Sequence, residues 1–428
     1  MGTWSWCALS LFVAAGATAD AAPAAGELIA VTDLGWPAGT VAATLRHGAR
    51  VLDRAGGKRI GTVAGGTRVT WTKIVASKDG CGGWLALEPR GWACAHDLAP
   101  AVGDLAPPGP APHAPGLRWA DIGNDGADAY DDLADLRVGK EPARHVGDRT
   151  YVSVKGGHAQ LVAGTRYFYT DQGWIAGKDL TWYEPSPFAG VELAVGTPLD
   201  FGWAVALKPG AKILVHDAPD PSALVVRKLD PRDLATVREV RGAWARIGDA
   251  EWTLVVELRR PELRGRPDGV APGERWLDVD LDQQVLVAYD GDVPAFTTVV
   301  STGRTDWQTP TGIYRIRSKA ERTRMQDPGN MADTWNVADV PWAMSFRRNF
   351  ALHGTYWHDG FGRARSHGCV NLSPNDAKRV YDFVTPIASV GWTDAEISAE
   401  NEGTPVQIRS RRDPTPKWTD YEGKASQP

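Results

Sequence analysis

Short apolar–polar alternations, broken by glycine and proline, fill most of this chain. From Val41 to Leu98 they run as brief β-type segments, and Thr67 to Ile74 keeps a period of two. Thr150 to Leu180 returns to the same pattern. After a Gly/Pro stretch at Arg264 to Gly273 the rhythm changes. Leu277, Val279 and Leu281 alternate with Asp278, Asp280 and Asp282, which predicts a hairpin strand with the aspartates on its solvated face. Gln284 to Tyr289 is the next strand, Asp290-Gly291 the turn, and Ala295 to Ser301 a third strand. Val340 to Phe346 and Phe350 to His353 read as apolar strands. One helix stands out: Ser373 is an N-cap, Pro374 fits the first helical position, and Asn375 to Phe383 continues it until Pro386. Thr404 to Ile408 is a last strand, and the polar residues 411–428 are expected to form a flexible tail. The fold class is mostly β.

The early strands repeat. Gly91-Trp92-Ala93 before His96-Asp97-Leu98 is echoed by Gly173-Trp174-Ile175 before Lys178-Asp179-Leu180. Gly48-Ala49-Arg50-Val51-Leu52 is echoed by Gly210-Ala211-Lys212-Ile213-Leu214. The order of these segments resembles the bacterial SH3-like domain, a small β-barrel. The expected organisation is an SH3-like unit at 27–100, a Pro-rich linker at 101–116, and a second β domain at 117–200, SH3-like or another small β fold. A further SH3-like unit follows at 201–264, and a separate domain covers 274–410. Tryptophans in the repeats (Trp71, Trp84, Trp92, Trp174, Trp182, Trp244, Trp252) have two readings. They pack the barrels, or they form an aromatic groove for cell-wall peptide or glycan.

Composition narrows the class. At 428 residues several domains are expected. A hydrophobic fraction of 43% with 23% charged residues is that of a soluble globular protein. The net charge of -5, spread without long runs, argues against nucleic acid as a partner. Residues 1–22 read as a secretory signal, with an apolar core from Trp4 to Ala17 and small residues after it. No later run reaches the length of a membrane span. Once Cys7 leaves with the signal, Cys81 and Cys94 flank a hairpin-like segment and read as a disulfide in an oxidising compartment; two buried thiols are the alternative. The cysteines form no close C-x-x-C pair, so no zinc site is expected from them and the histidines.

The remaining cysteine carries the chemistry. Cys369 lies in Ser366-His367-Gly368-Cys369-Val370-Asn371, with His353-Gly354 and His358 upstream. A thiol attacks a carbonyl as its thiolate, so it needs a base or a cation nearby. This ordered motif resembles the active-site signature of the L,D-transpeptidases (the YkuD-type catalytic domain). Ser301-Thr302-Gly303 and Thr309-Pro310-Thr311-Gly312 resemble the start of the same domain, and the resemblance covers roughly a third of the chain. It implies a β-rich catalytic domain with a short helix after the cysteine, and no cofactor.

By resemblance, Cys369 takes an acyl group from a peptidoglycan stem peptide as a thioester, and His353 is the general base, oriented by the Gly354 carbonyl. His367 stabilises the site or helps bind substrate. Gly368 and Cys369 offer backbone N–H groups to an oxyanion, and Ser366 and Asn371 brace the loop. Arg365 and Arg363 either grip a stem-peptide carboxylate or are solvated charges. Tyr356 and Trp357 wall the acyl groove or pack beneath it, and His358 is expected to face solvent or belong to a lid. The acceptor is an amine on a second stem or a protein side chain, in the periplasm or cell envelope. Water as acceptor would give an L,D-carboxypeptidase. A non-catalytic wall-binding scaffold, with glycan or peptide held by the SH3-like units, is the alternative from another class.

Overall fold

The computed structural model describes residues 25–101, 117–155, 159–327, 335–389 and 391–427. The expected signal segment at 1–22, nearly all of the linker at 101–116, and Pro428 lie outside the described residues. The architecture is mostly β, with several sheets and few helices.

A six-stranded sheet begins the domain expected at 274–410. Its order is Val191–Glu192, Val293–Val299, Val285–Asp290, Arg275–Asp280, Pro405–Arg409 and Gly312–Arg315. Leu277, Val279, Leu286 and Ala288 bury one face against a core that includes Tyr314, Phe346, Leu352, Val370 and the inner side of the helix Pro374–Phe383. Full burial of each large aliphatic side chain contributes about 1.5–3 kcal/mol. The helix starts as its sequence requires, with Ser373 Oγ accepting from the Asp376 N–H. Its far end is held by Lys319, a buried cation that donates to the carbonyls of Tyr381 at 2.6 Å and Val384 at 2.9 Å. A cation belongs at that negative end, and burial still pushes Lys319 down to about 8.

The aspartates of the first strand do not face water. Asp278 and Asp280 are 1% and 6% exposed, and both meet Arg409 on the last strand. Asp278 also accepts from Gln407. The parallel pairing of Arg275–Asp280 with Pro405–Arg409 sets Asp280 opposite Arg409, so the guanidinium fork can satisfy both acids. The tail differs from expectation too. Residues 411–427 run back over the domain: Trp418 is buried and donates to the Asp268 carbonyl, and Thr419 donates its backbone N–H to Ile313. A buried indole with a satisfied N–H anchors a segment whose polar composition alone suggested fraying.

The front strands are joined to strands of the domain expected at 274–410. Arg59–Val63 pairs with Trp392–Glu396, which pairs with Ser318–Gln326 and through it with Asn336–Arg347. Thr150–Val154 runs parallel to the start of Asn336–Arg347. Val191–Glu192, from the expected 117–200 unit, belongs to the six-stranded sheet. The repeat tryptophans are buried or half-buried: Trp182 packs on Phe168 under Arg118, and Trp244 on His216. That favours packing over an open aromatic groove. Cys81 and Cys94 are joined as a disulfide, with Cα atoms 5.2 Å apart.

Candidate active site

Two short parallel strands, Phe350–Gly354 and Val370–Leu372, carry the site. Their register sets Leu352 beside Val370 and His353 beside Asn371. Leu352 and Val370 point into the core. Strand alternation sends His353, Asn371 and the preceding Cys369 to the opposite face.

The loop between the strands is braced by residues 301–309. Ser301 and Asn371 exchange both backbone hydrogen bonds, and Arg365 and Ser366 donate to the Thr302 carbonyl. Thr309 Oγ1 accepts from Gly303 N–H at 2.9 Å and donates to the Gly368 carbonyl at 2.7 Å. Gln284 clamps Thr302 from behind, with its amide nitrogen 2.6 Å from the hydroxyl and its oxygen 2.8 Å from the backbone N–H. Gly368 has φ +116°, and a Cβ there would lie 2.5 Å from the Phe350 ring, so no other residue fits. Ser366 Oγ accepts from the Gly368 N–H at 3.0 Å and donates to the Cys369 carbonyl at 2.5 Å. The Gly368 N–H is therefore occupied and does not face an oxyanion, which leaves the Cys369 N–H of the two expected donors.

His353 is 3% exposed, and its Nδ1 lies 3.0 Å from the Gly354 carbonyl. A carbonyl only accepts, so Nδ1 carries the proton and Nε2 keeps its lone pair. Burial pushes His353 down to about 4. The Cys369 thiol lies 3.9 Å from the Asn349 carbonyl, to which it donates, and burial pushes it up to about 11 against the smaller pull of the Ala351 N–H. Burial thus favours the neutral imidazole and the neutral thiol at rest, not the thiolate that its reactivity alone suggested.

His358 is half-buried rather than solvent-facing. Gly360 N–H donates to its Nδ1 at 3.2 Å, and its Nε2 is 3.1 Å from the Asn371 side-chain amide. Burial first, then Arg365, pushes it down to about 3, so it is neutral, with its single proton on Nε2. That proton requires the Asn371 oxygen opposite it. Turning the amide over gives His358 its acceptor and gives the otherwise unpartnered buried Asn371 Oδ1 its donor. His367 lies between Trp307 and Trp335, with its Nε2 3.3 Å from Arg304, and burial lowers it.

Cys369 and His367 open into a cleft of about 820 Å3. One end is aromatic, with Trp307, Trp335 and Phe350. The other is charged: Arg59 from the first β unit pairs with Asp394 and Glu396, beside Arg322 on the floor. Three expected site residues lie elsewhere. Tyr356 is 1% exposed, stacks on Trp119 at 4.7 Å and donates to the Ala338 carbonyl, so the second β unit covers it. Arg365 and Arg363 line a different cavity, on the other side of the loop. Thr309, Gln284 and Arg59 escaped sequence reading. Thr309 lay within a recognised segment, but nothing local ties Arg59 to a cysteine so far along the chain.

The family model of the L,D-transpeptidase catalytic domain (YkuD) matches residues 274–408. This part of the chain is an L,D-transpeptidase catalytic domain. Similar solved structures include the Enterococcus faecium L,D-transpeptidase C442S mutant, with 21% identity over 32% of this chain and 50% of that one and a TM-score of 0.25. L,D-transpeptidase 3 from Mycobacterium tuberculosis is 17% identical over 37% and 73%, with a TM-score of 0.27. An L,D-transpeptidase from Mycobacterium smegmatis is 22% identical over 40% and 80%, with a TM-score of 0.26. The chain spans half the length of the E. faecium structure. Comparison with curated proteins gives no match. Among the described residues, no helix is long and apolar enough to cross a membrane.

Proposed function

We propose that the protein is an exported, cysteine-dependent L,D-transpeptidase acting on peptidoglycan stem peptides. The observation that carries this reading is the parallel register that sets His353 beside Asn371, two residues past Cys369, with Cys369 lining a cleft in a domain that matches this family. A stem-peptide carbonyl enters the cleft, and Cys369 Sγ attacks it while His353 Nε2 takes the thiol proton. The Cys369 N–H stabilises the oxyanion. Collapse breaks the peptide bond, His353 returns the proton to the departing D-alanine amine, and a thioester remains. An acceptor amine then attacks the thioester carbonyl, gives up a proton through His353 and frees the thiol. A neutral resting pair suits this order, because charge separates only when a carbonyl is in place.

The SH3-like units are proposed to shape the site rather than only to bind wall. Arg59 fixes Asp394 and Glu396 at the far end of the cleft, so the first unit forms part of its wall.

Intact-protein mass after incubation with disaccharide-tetrapeptide tests the reading. The expected result is an acyl adduct on the wild type, its absence from Cys369→Ala, and dimeric muropeptides among the products. Tripeptide alone would make the enzyme an L,D-carboxypeptidase. Wall binding with neither adduct nor product, in folded protein with a free thiol, would favour the scaffold.

A further inference from the structure

The loop from His353 to Cys369 has a second face. Away from the Cys369 cleft it closes a cavity of about 340 Å3 against the third β unit. Val205, Pro209, Pro231 and Phe361 give apolar walls, and Arg232, Arg363 and Arg365 enter it. Among the described residues that line it, Asp359 is the one acid, and it is taken: Arg232 donates to its carboxylate at 2.6 Å and to its carbonyl at 2.7 Å. Arg363 donates to the backbone carbonyls of Ala206 and Leu207 and meets no carboxylate there. Arg365 folds its guanidinium over Gly360 at the cavity rim. Arg259 stands behind, 2.8 Å from the Gly362 carbonyl.

Like charges packed this closely oppose one another. Burial, together with the neighbouring guanidinium, lowers both Arg259 and Arg363. The cost is removed if an anion enters, because planar guanidinium groups grip two oxygens at once. We propose that this cavity binds an oxyanion, a carboxylate or phosphate carried on a small apolar body, between Arg363 and Arg365 and against Phe361. The anion would bridge the third β unit to the loop that holds His358 and Ser366. The site is separate from the Cys369 cleft and does not rest on the proposed reaction.

Thermal unfolding of the full chain against inorganic phosphate and, separately, acetate tests this, with ionic strength held constant by sodium chloride. The wild type should show a saturable rise in Tm with at least one probe. Arg365→Gln should raise the half-effect concentration by roughly tenfold or more, the scale of one lost charge-assisted pair. Arg363→Gln should do the same, read from the ligand-induced shift because this residue also joins the third unit to the loop. A response to phosphate but not acetate assigns a phosphate-bearing ligand, and the reverse a carboxylate. No saturable shift with either probe, or identical curves for wild type and Arg365→Gln, overturns the proposal.

Discussion

The catalytic domain buries two polar centres and treats them in opposite ways. Within the six-stranded sheet, Asp278, Asp280 and Arg409 are buried together as an ion-paired cluster, and although burial raises Asp278, the charge and hydrogen bonds of Arg409 pull against that rise. Beside the short parallel strands, His353 is buried and Cys369 half-buried, neither with a counter-charge, and loss of water pushes the imidazole down and the thiol up, towards their neutral forms. The first centre spends its chemistry on joining the first and last strands. The second holds a proton ready to move. Burial alone decides neither outcome; what decides it is whether a partner of opposite charge comes with it.

The comparison can be broken hardest at the second centre. Cys369→Ala should abolish acylation, and His353→Gln should slow it about 10²–10⁴-fold with little loss of fold, measured as adduct formation by mass spectrometry. At the first centre the effect should fall on stability. Arg409→Ala strands two buried carboxylates and is expected to cost about 3–5 kcal/mol in urea unfolding. Replacing all three residues with apolar ones of similar volume should recover most of that loss.

Acid sharpens the contrast. His353 and His358 sit at about 4 and about 3 in the fold, below the ordinary 6.5, so the unfolded chain binds more protons than the fold in that window. Their contribution is therefore present above pH 6.5 and lost as pH falls towards 4. His358→Gln should flatten that part of the stability–pH curve. The smallest effect concerns the helix that follows the site: Ser373→Ala removes one cap bond and should cost about 1 kcal/mol.

What was legible in the sequence was local. The ordered run from Ser366 to Asn371, the N-cap at Ser373 and the alternation at Leu277 to Leu281 are short-range patterns, and the structure places each in a matching element. What failed was long-range. Asp278 looked solvated because its partner, Arg409, is on a strand at the far end of the domain. Tyr356 stays open between groove wall and packing in the sequence because nothing beside it announces Trp119. Arg365 reads equally as a substrate clamp or a solvated charge, and the loop turns it to the opposite side from Cys369. The tail looked loose because one buried tryptophan, Trp418, outweighs a polar composition that a linear reading averages.

The most direct test of the neutral-pair account is the rate of Cys369 alkylation by iodoacetamide from pH 5 to 9, in wild type and in His353→Gln. The thiol sits at about 11, so the wild-type rate should climb with pH across the whole range and show no acid plateau. A flat, fast rate from pH 5 upward that disappears in His353→Gln would mean a preformed thiolate–imidazolium pair, and would contradict the account.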